Sequence, residues 1–448
     1  MTPPQHWLIL TVLGSLPLCL ATPRPSAPRH ISSHIPLVRR SDPAARLFRR
    51  DKYGIETVSE SDVGHIAFNL LYPNSPQWKG FWFGSFDVGS SKNLHLLIDT
   101  GSSDVIINPG YYNASSASVN LNLTFENGYG TTQSDGSGTG SVAGTLYNDT
   151  ITYGSLTIDQ TIGSANGTAL IPADGIVGFA GVEVAQFPNG APPFFHALCQ
   201  QGQVSSCRFG VVLGSNSTGT QVLGELDTSL FEGNLTTTSI VQEWAFFADV
   251  AVNDTILTKD VPIELDTGTA TITGPVEEVL AIFEATNIQA VVQNTSDGVT
   301  VTGYFPCDSP PTVGFSIPSQ ANATAAVAAD SDLVSHQSAI FNIAADQWIA
   351  ANNGNNNCTA VLAGATVASY PTLWVVGQPF FRGLYIDHNV ENATVGLAVS
   401  KTQSGTQTSA SATPSSASSV VPSSGAVLGQ SVNVAMLSLS VLLAWVMH

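Results

Sequence analysis

Two stretches of the chain run apolar and then break on a carboxylate. Residues 94–98 are apolar except for His95, and they end at Asp99. A polar turn follows, Thr100-Gly101-Ser102-Ser103, and then a second aliphatic run at 105–107. That order predicts a buried strand delivering an acid to a tight, glycine-containing loop. At 261–275 it recurs as VPIELDTGTATITGP, with Asp266-Thr267-Gly268-Thr269 after another apolar run. Each acid loop is followed later by two aliphatics and a glycine, Ile176-Val177-Gly178 and Val375-Val376-Gly377. The ordered pair therefore occurs twice, with the acids 167 residues apart, and the chain reads as two related halves. A carboxyl at the end of a buried strand is costly unless it is hydrogen-bonded or functional, which makes Asp99 and Asp266 candidates for chemistry.

The rest of 51–400 consists of short apolar runs between Gly-, Thr-, Ser- and Asn-rich turns, the pattern of an all-β body. Helical periodicity is scarce, and short helices are expected at 192–200 and 276–285. The length suits two lobes, 51–235 carrying Asp99 and 236–400 carrying Asp266.

The ends differ from the body. Residues 1–21 hold an apolar core and read as a secretory signal peptide, although the only basic group before that core is His6. Residues 22–50 are Pro-rich and carry seven arginines against one acid, Asp42. This leaves 7 of the 14 basic residues and 32 of the 33 acidic ones elsewhere. A cationic pro-segment on an anionic body is an electrostatic lid or, more simply, a processed spacer. Arg49-Arg50 is a dibasic site for a processing protease and would give a mature start at Asp51. Residues 401–424 are Ser/Thr-rich, without an acid, and read as a stalk. Residues 425–448 end in an apolar tail. With the small residues Ser423, Ser424 and Gly425 before it, this fits a glycosylphosphatidylinositol (GPI) attachment signal better than a transmembrane helix. Eleven Asn-x-Ser/Thr sequons, with Lys and Arg so rare, argue for a glycosylated extracellular surface.

A net charge of −19 argues against nucleic acid as a partner. There is no P-loop, HExxH, GxSxG or dinucleotide fingerprint, and no cofactor is implied. Once Cys19 leaves with the signal, four cysteines remain, Cys199, Cys207, Cys307 and Cys358, and they allow three pairings. A metal site is the alternative, but histidines at ligand spacing are absent.

The stretches IDTGSSD, DGIVGFA, VLGELDTSLFEG, ELDTGTATITGP and FPCD resemble the pepsin-like aspartic proteases over about residues 82–400. The resemblance implies a bilobal all-β fold with the cleft between the lobes, where the two loops bring Asp99 and Asp266 together. Gly101 and Gly268 would present backbone N–H groups to the carboxylates. Ser102 and Thr269 would supply hydroxyls to them, and Thr100 and Thr267 would cross-link the loops. It favours a Cys307–Cys358 disulfide, and parity leaves Cys199–Cys207. It implies a monomer acting on extended polypeptide substrates at acidic pH. Two positions depart from the family pattern. Ile106 stands where the family has a tryptophan. Aligning Gly138 and Thr139 with the family's flap puts Ser137 where a tyrosine is expected, and Tyr129 could serve only if an insertion follows it. The expected protein is a secreted, GPI-anchored aspartic endopeptidase. The second reading is a catalytically weak or inactive surface protein of the same fold that binds peptides or glycans.

Overall fold

Strands form in this chain where buried and exposed positions alternate between turn residues. In Ala245–Val252, Phe246, Ala248 and Val250 are buried while Phe247 between them is exposed. The computed structural model describes residues 81–401, except 131–138, 168–170, 172, 215–217, 243, 296–297, 320–337 and 366–371, together with four short strands before residue 81. The fold is all-β with a few short helices. The helix Val276–Ala285 has the expected bounds. The other expected helix starts at Phe194, because Pro193 occupies its N-cap.

Among the described residues the strands form a thirteen-stranded, a ten-stranded and a small three-stranded sheet, and in the two large ones the two halves thread in the same way. In the first, Gly175–Gly178 runs parallel to Ser91–Asp99, with Gly178 level with Asp99, and antiparallel to Val105–Ile107. In the second, Trp374–Val376 runs parallel to Thr255–Leu265 and antiparallel to Ile272–Gly274. Each aliphatic pair is thus inserted between the two strands that flank an acid loop. A Cβ on Gly178 or Gly377 would overlap the Ser102 or Thr271 carbonyl oxygen, so only glycine closes the wedge.

The halves join through their hairpins. Arg208–Leu213 pairs antiparallel with Leu384–Asn389 across the lobe boundary. The Arg208 guanidinium grips the buried Asp387 carboxylate there with two bonds, 3.0 and 2.6 Å. Thr236–Ser239 adds to Thr394–Val399 on one side. On the other, Ser33–Val38 adds to Thr218–Leu223 in unbroken register, Ser33 opposite Leu223 through Val38 opposite Thr218. Six residues of the basic leader are therefore a strand of the body's own sheet. Arg49–Arg50 forms a two-residue strand beside Glu56–Thr57.

Aromatic side chains fill the seam. Phe179, Phe194, Phe195, Phe209 and Trp244 share one core, and Trp244 Nε1 donates to the Phe179 carbonyl at 3.0 Å. The disulfides are Cys199–Cys207 and Cys307–Cys358, with Cα separations of 5.6 and 5.1 Å. The signal peptide, most of the stalk, and the tail with Ser423, Ser424 and Gly425 lie outside the described residues.

Candidate active site

The threading brings the two acid loops tip to tip. Gly101 N–H donates to Asp99 Oδ1 at 2.9 Å and Ser102 Oγ to Asp99 Oδ2 at 2.5 Å. Across the axis, Gly268 N–H donates to Asp266 Oδ1 at 2.6 Å, and Thr269 Oγ1 donates to Asp266 Oδ2. The glycines face the opposite acid as well. A Cβ on Gly101 would lie 2.6 Å from Asp266 Cγ, and one on Gly268 would collide with Asp99 Oδ1. Side chains at these positions would push the carboxyls apart.

Thr100 and Thr267 lock the loops. Thr100 N–H donates to Thr267 Oγ1 and Thr267 N–H to Thr100 Oγ1, both at 3.0 Å. Each hydroxyl passes its own proton on, Thr100 Oγ1 to the Leu265 carbonyl at 2.8 Å and Thr267 Oγ1 to the Ile98 carbonyl at 2.7 Å. Both threonines are buried. Four backbone groups that would be orphaned at the lobe boundary are satisfied by two hydroxyls.

Burial raises the Asp99 pKa well above the carboxylic-acid range, and the Asp266 charge and a hydrogen bond between the two side chains raise it further. The Ser102 and Gly101 donors oppose this. A pair in this state holds one proton between two carboxyls, with one acid to donate and one base to accept.

Ser137 and Gly138 lie outside the described residues, and Thr139 opens the strand Thr139–Tyr153, paired with Gly130 at the end of Val119–Gly130. One pair nearer the body, Tyr129 sits opposite Gly140. It packs on the apolar cluster that contains Ile106, and its phenol feels the charges of both Asp104 and Asp99.

Three further groups converge here that the sequence reading did not single out. Asp104 Oδ2 accepts from Asn127 Nδ2 at 2.7 Å and from Gln186 N–H at 2.8 Å. Gln186 in turn clamps the Gly128 backbone, accepting from its N–H at 2.9 Å and donating to its carbonyl at 3.1 Å. Burial pushes the Asp104 pKa up to about 6. The hairpin strand is thus fastened at two consecutive residues just below Tyr129. Asp104 could have been suspected as a second acid five residues past Asp99; its partners lie too far along the chain to be read from sequence.

This fold and site define an aspartic-type endopeptidase. Residues 81–400 match the eukaryotic aspartyl protease family model, and the chain belongs to that family. It is 31% identical over 245 residues to "Secreted aspartyl protease 1" of Malassezia globosa, covering 53% of this chain and 58% of that protein. It is 28% identical over 430 residues to "Pepsin A" of Sus scrofa, covering 88% and 99%. In fold it is similar to the crystal structure of aspartic proteinase from Irpex lacteus, with a TM-score of 0.58, 22% identity, and 73% and 96% of the two chains covered.

Proposed function

We propose that Asp99 and Asp266 are the catalytic dyad of an endopeptidase that cuts extended polypeptides in acid. The observation that carries this reading is the reciprocal placement of the acids. Each carboxyl is held by its own loop's N–H and hydroxyl and lies under the other loop's glycine. With one shared proton, the ionised carboxyl takes a proton from a water between the two, and the protonated one donates to the scissile carbonyl oxygen. Water adds, a tetrahedral diol forms without a covalent enzyme intermediate, and its collapse protonates the leaving amine. Either acid can take either role, because the pair titrates as a unit. The leader, sequons and tail support export, processing after Arg50 and GPI anchoring at the cell surface.

The test is hydrolysis of denatured haemoglobin or casein at about pH 3 to 5, with and without a pepstatin-type inhibitor. Asp99→Asn and Asp266→Asn are each expected to abolish it while the protein is still secreted. Substantial residual activity in either variant, with deamidation excluded, overturns the mechanism. The weak or inactive binding protein is favoured by one observation, Ile106 in the tryptophan position. An inhibitor-insensitive or absent activity in the unmodified protein would select it.

A further inference from the structure

The second acid loop carries an extra carboxyl that the mechanism does not use. Along Thr255–Leu265, Val261, Ile263 and Leu265 are buried in the core, while Pro262 and Glu264 are only partly covered. Period-2 alternation places those two on the face that ends in Asp266. Register puts Ala245 beside Glu264 and Phe247 beside Pro262 on one side, with Val375 beside Glu264 on the other. Phe247 is 48% exposed. The result is an apolar shelf with a single acid, next to the dyad. Glu264's counterpart in the first half is Leu97, buried in an apolar cluster with Phe83, Ile106 and Phe187. The two flanks of the dyad therefore differ: hydrocarbon on one, a carboxyl on the other.

Among the described residues Glu264 has no cationic partner. The one charge acting on it is Asp266, which adds to burial in pushing its pKa up to about 8. Asp249, Asp260 and the exposed Lys259 stand further along the same two strands, with Asp260 N–H donating to Asp249 Oδ1 at 3.0 Å. Ala245 and Val375, its direct neighbours, carry no charge.

We infer that Glu264 makes the subsite on the second-lobe side of the scissile bond select a lysine or arginine side chain of the substrate. This rests on the dyad reading above. A long basic side chain fits the shelf because its methylene stem lies along Val375, Pro262 and Phe247 while its head reaches the acid. The cation supplies the missing countercharge, and Glu264 releases its proton to solvent as the pair forms. Because that proton must be displaced, selectivity for a basic side chain rises from pH 4 to pH 6.

The test uses two matched peptide series around one fixed scissile bond, placing Leu, Gln, Lys, Arg or Glu at each of its two flanking positions in turn. kcat/KM is measured at pH 4 and pH 6 for the natural protein and for E264L, E264Q and E264K. At one flanking position Lys and Arg should exceed Gln by about tenfold at pH 6 and by less at pH 4. E264L and E264Q should lose both the preference and its pH trend, and E264K should favour Glu. Turnover of the leucine peptides with no basic preference at either position overturns this inference alone. So does a preference that survives in E264L and E264Q. If the natural protein cuts no peptide in either series, the dyad reading fails and this inference fails with it.

Discussion

Replacing Thr267 with valine keeps the β-branch and almost the same volume, so it leaves no cavity and isolates the hydroxyl. That hydroxyl accepts from Thr100 N–H at 3.0 Å and donates to the Ile98 carbonyl at 2.7 Å. Both backbone groups would be left in the dry lobe boundary without a partner. A buried group stripped of its hydrogen bond costs roughly 1–3 kcal/mol, so Thr267→Val should cost roughly 2–6 kcal/mol. Thr100→Val strands Thr267 N–H and the Leu265 carbonyl, and should cost about the same. The two hydroxyls do not bond to each other, so independent effects would add. We expect the double variant to lose clearly less than the sum, because the first substitution lets the loops part and water reach the remaining groups. The assay is denaturant unfolding near pH 5 of all four forms in a common Asp266→Asn background, which prevents self-digestion under the dyad reading. A loss below about 1 kcal/mol in both single variants would mean the boundary is already wet and the clamp is not a structural lock. A difference of more than about 2 kcal/mol between the singles would refute the equivalence of the two loops.

Asp104→Ala should lower kcat/KM by about tenfold through loosening of the Asn127 and Gln186 contacts, and Asp104→Asn, which keeps one acceptor oxygen, should restore most of it; equal activity in all three forms would remove Asp104 from flap positioning. His388 is fully buried, stacked on Phe209 at 4.4 Å, and its pKa is pushed down from 6.5 to about 3 by burial. The folded protein therefore binds that proton more weakly than the unfolded chain, so stability present above pH 6.5 is lost as the pH falls toward 3, by about 5 kcal/mol in all. His388→Phe should flatten the acid limb of the Tm profile, and an unchanged limb would show that His388 does not set it.

The acid loops were legible because their constraints are local. A carboxyl, a glycine and a hydroxyl within four residues of chain specify most of each half-site, and repetition removes the reading of an ordinary turn. The helix Val276–Ala285 was legible because a proline precedes it and apolar residues recur at helical spacing. Other features depended on partners far away in sequence. The strand Ser33–Val38 contains a proline and lies in a basic segment, and it is a strand because it pairs along Thr218–Leu223 and, at Val38, with Phe83. Asp104 reads as a polar turn residue until Asn127 and Gln186, 23 and 82 residues on, reach it. Glu264 is not singled out by the sequence, since which face of a strand meets the cleft is not a property of the strand alone.

The pattern of symmetry has a physical cause. Thr100 and Thr267, Gly101 and Gly268, and Ser102 and Thr269 each serve their own acid or face the other loop across the axis. Those positions meet the same demand from both sides and have kept the same chemistry. Beyond them the demand differs. Ser103 Oγ donates to the Gly181 carbonyl at 2.5 Å, whereas its counterpart Ala270 packs on the first half's apolar cluster. Asp104 fastens the hairpin below Tyr129, whereas the hydroxyl of its counterpart Thr271 is buried without a hydrogen-bond partner. Both halves pair their hairpin along the next strand, but in the first half residues 139–143 run past the last pair, Gly144 with Ala165, whereas in the second half the hairpin Gln289–Thr295 with Gly298–Pro306 is already paired to Asn357–Ala365 at Thr300. Only the first half has a strand end to steer, so only the first half needs an acid there. The second half is free to carry its extra acid at Glu264, which by the inference above is the group that meets a basic side chain of the substrate.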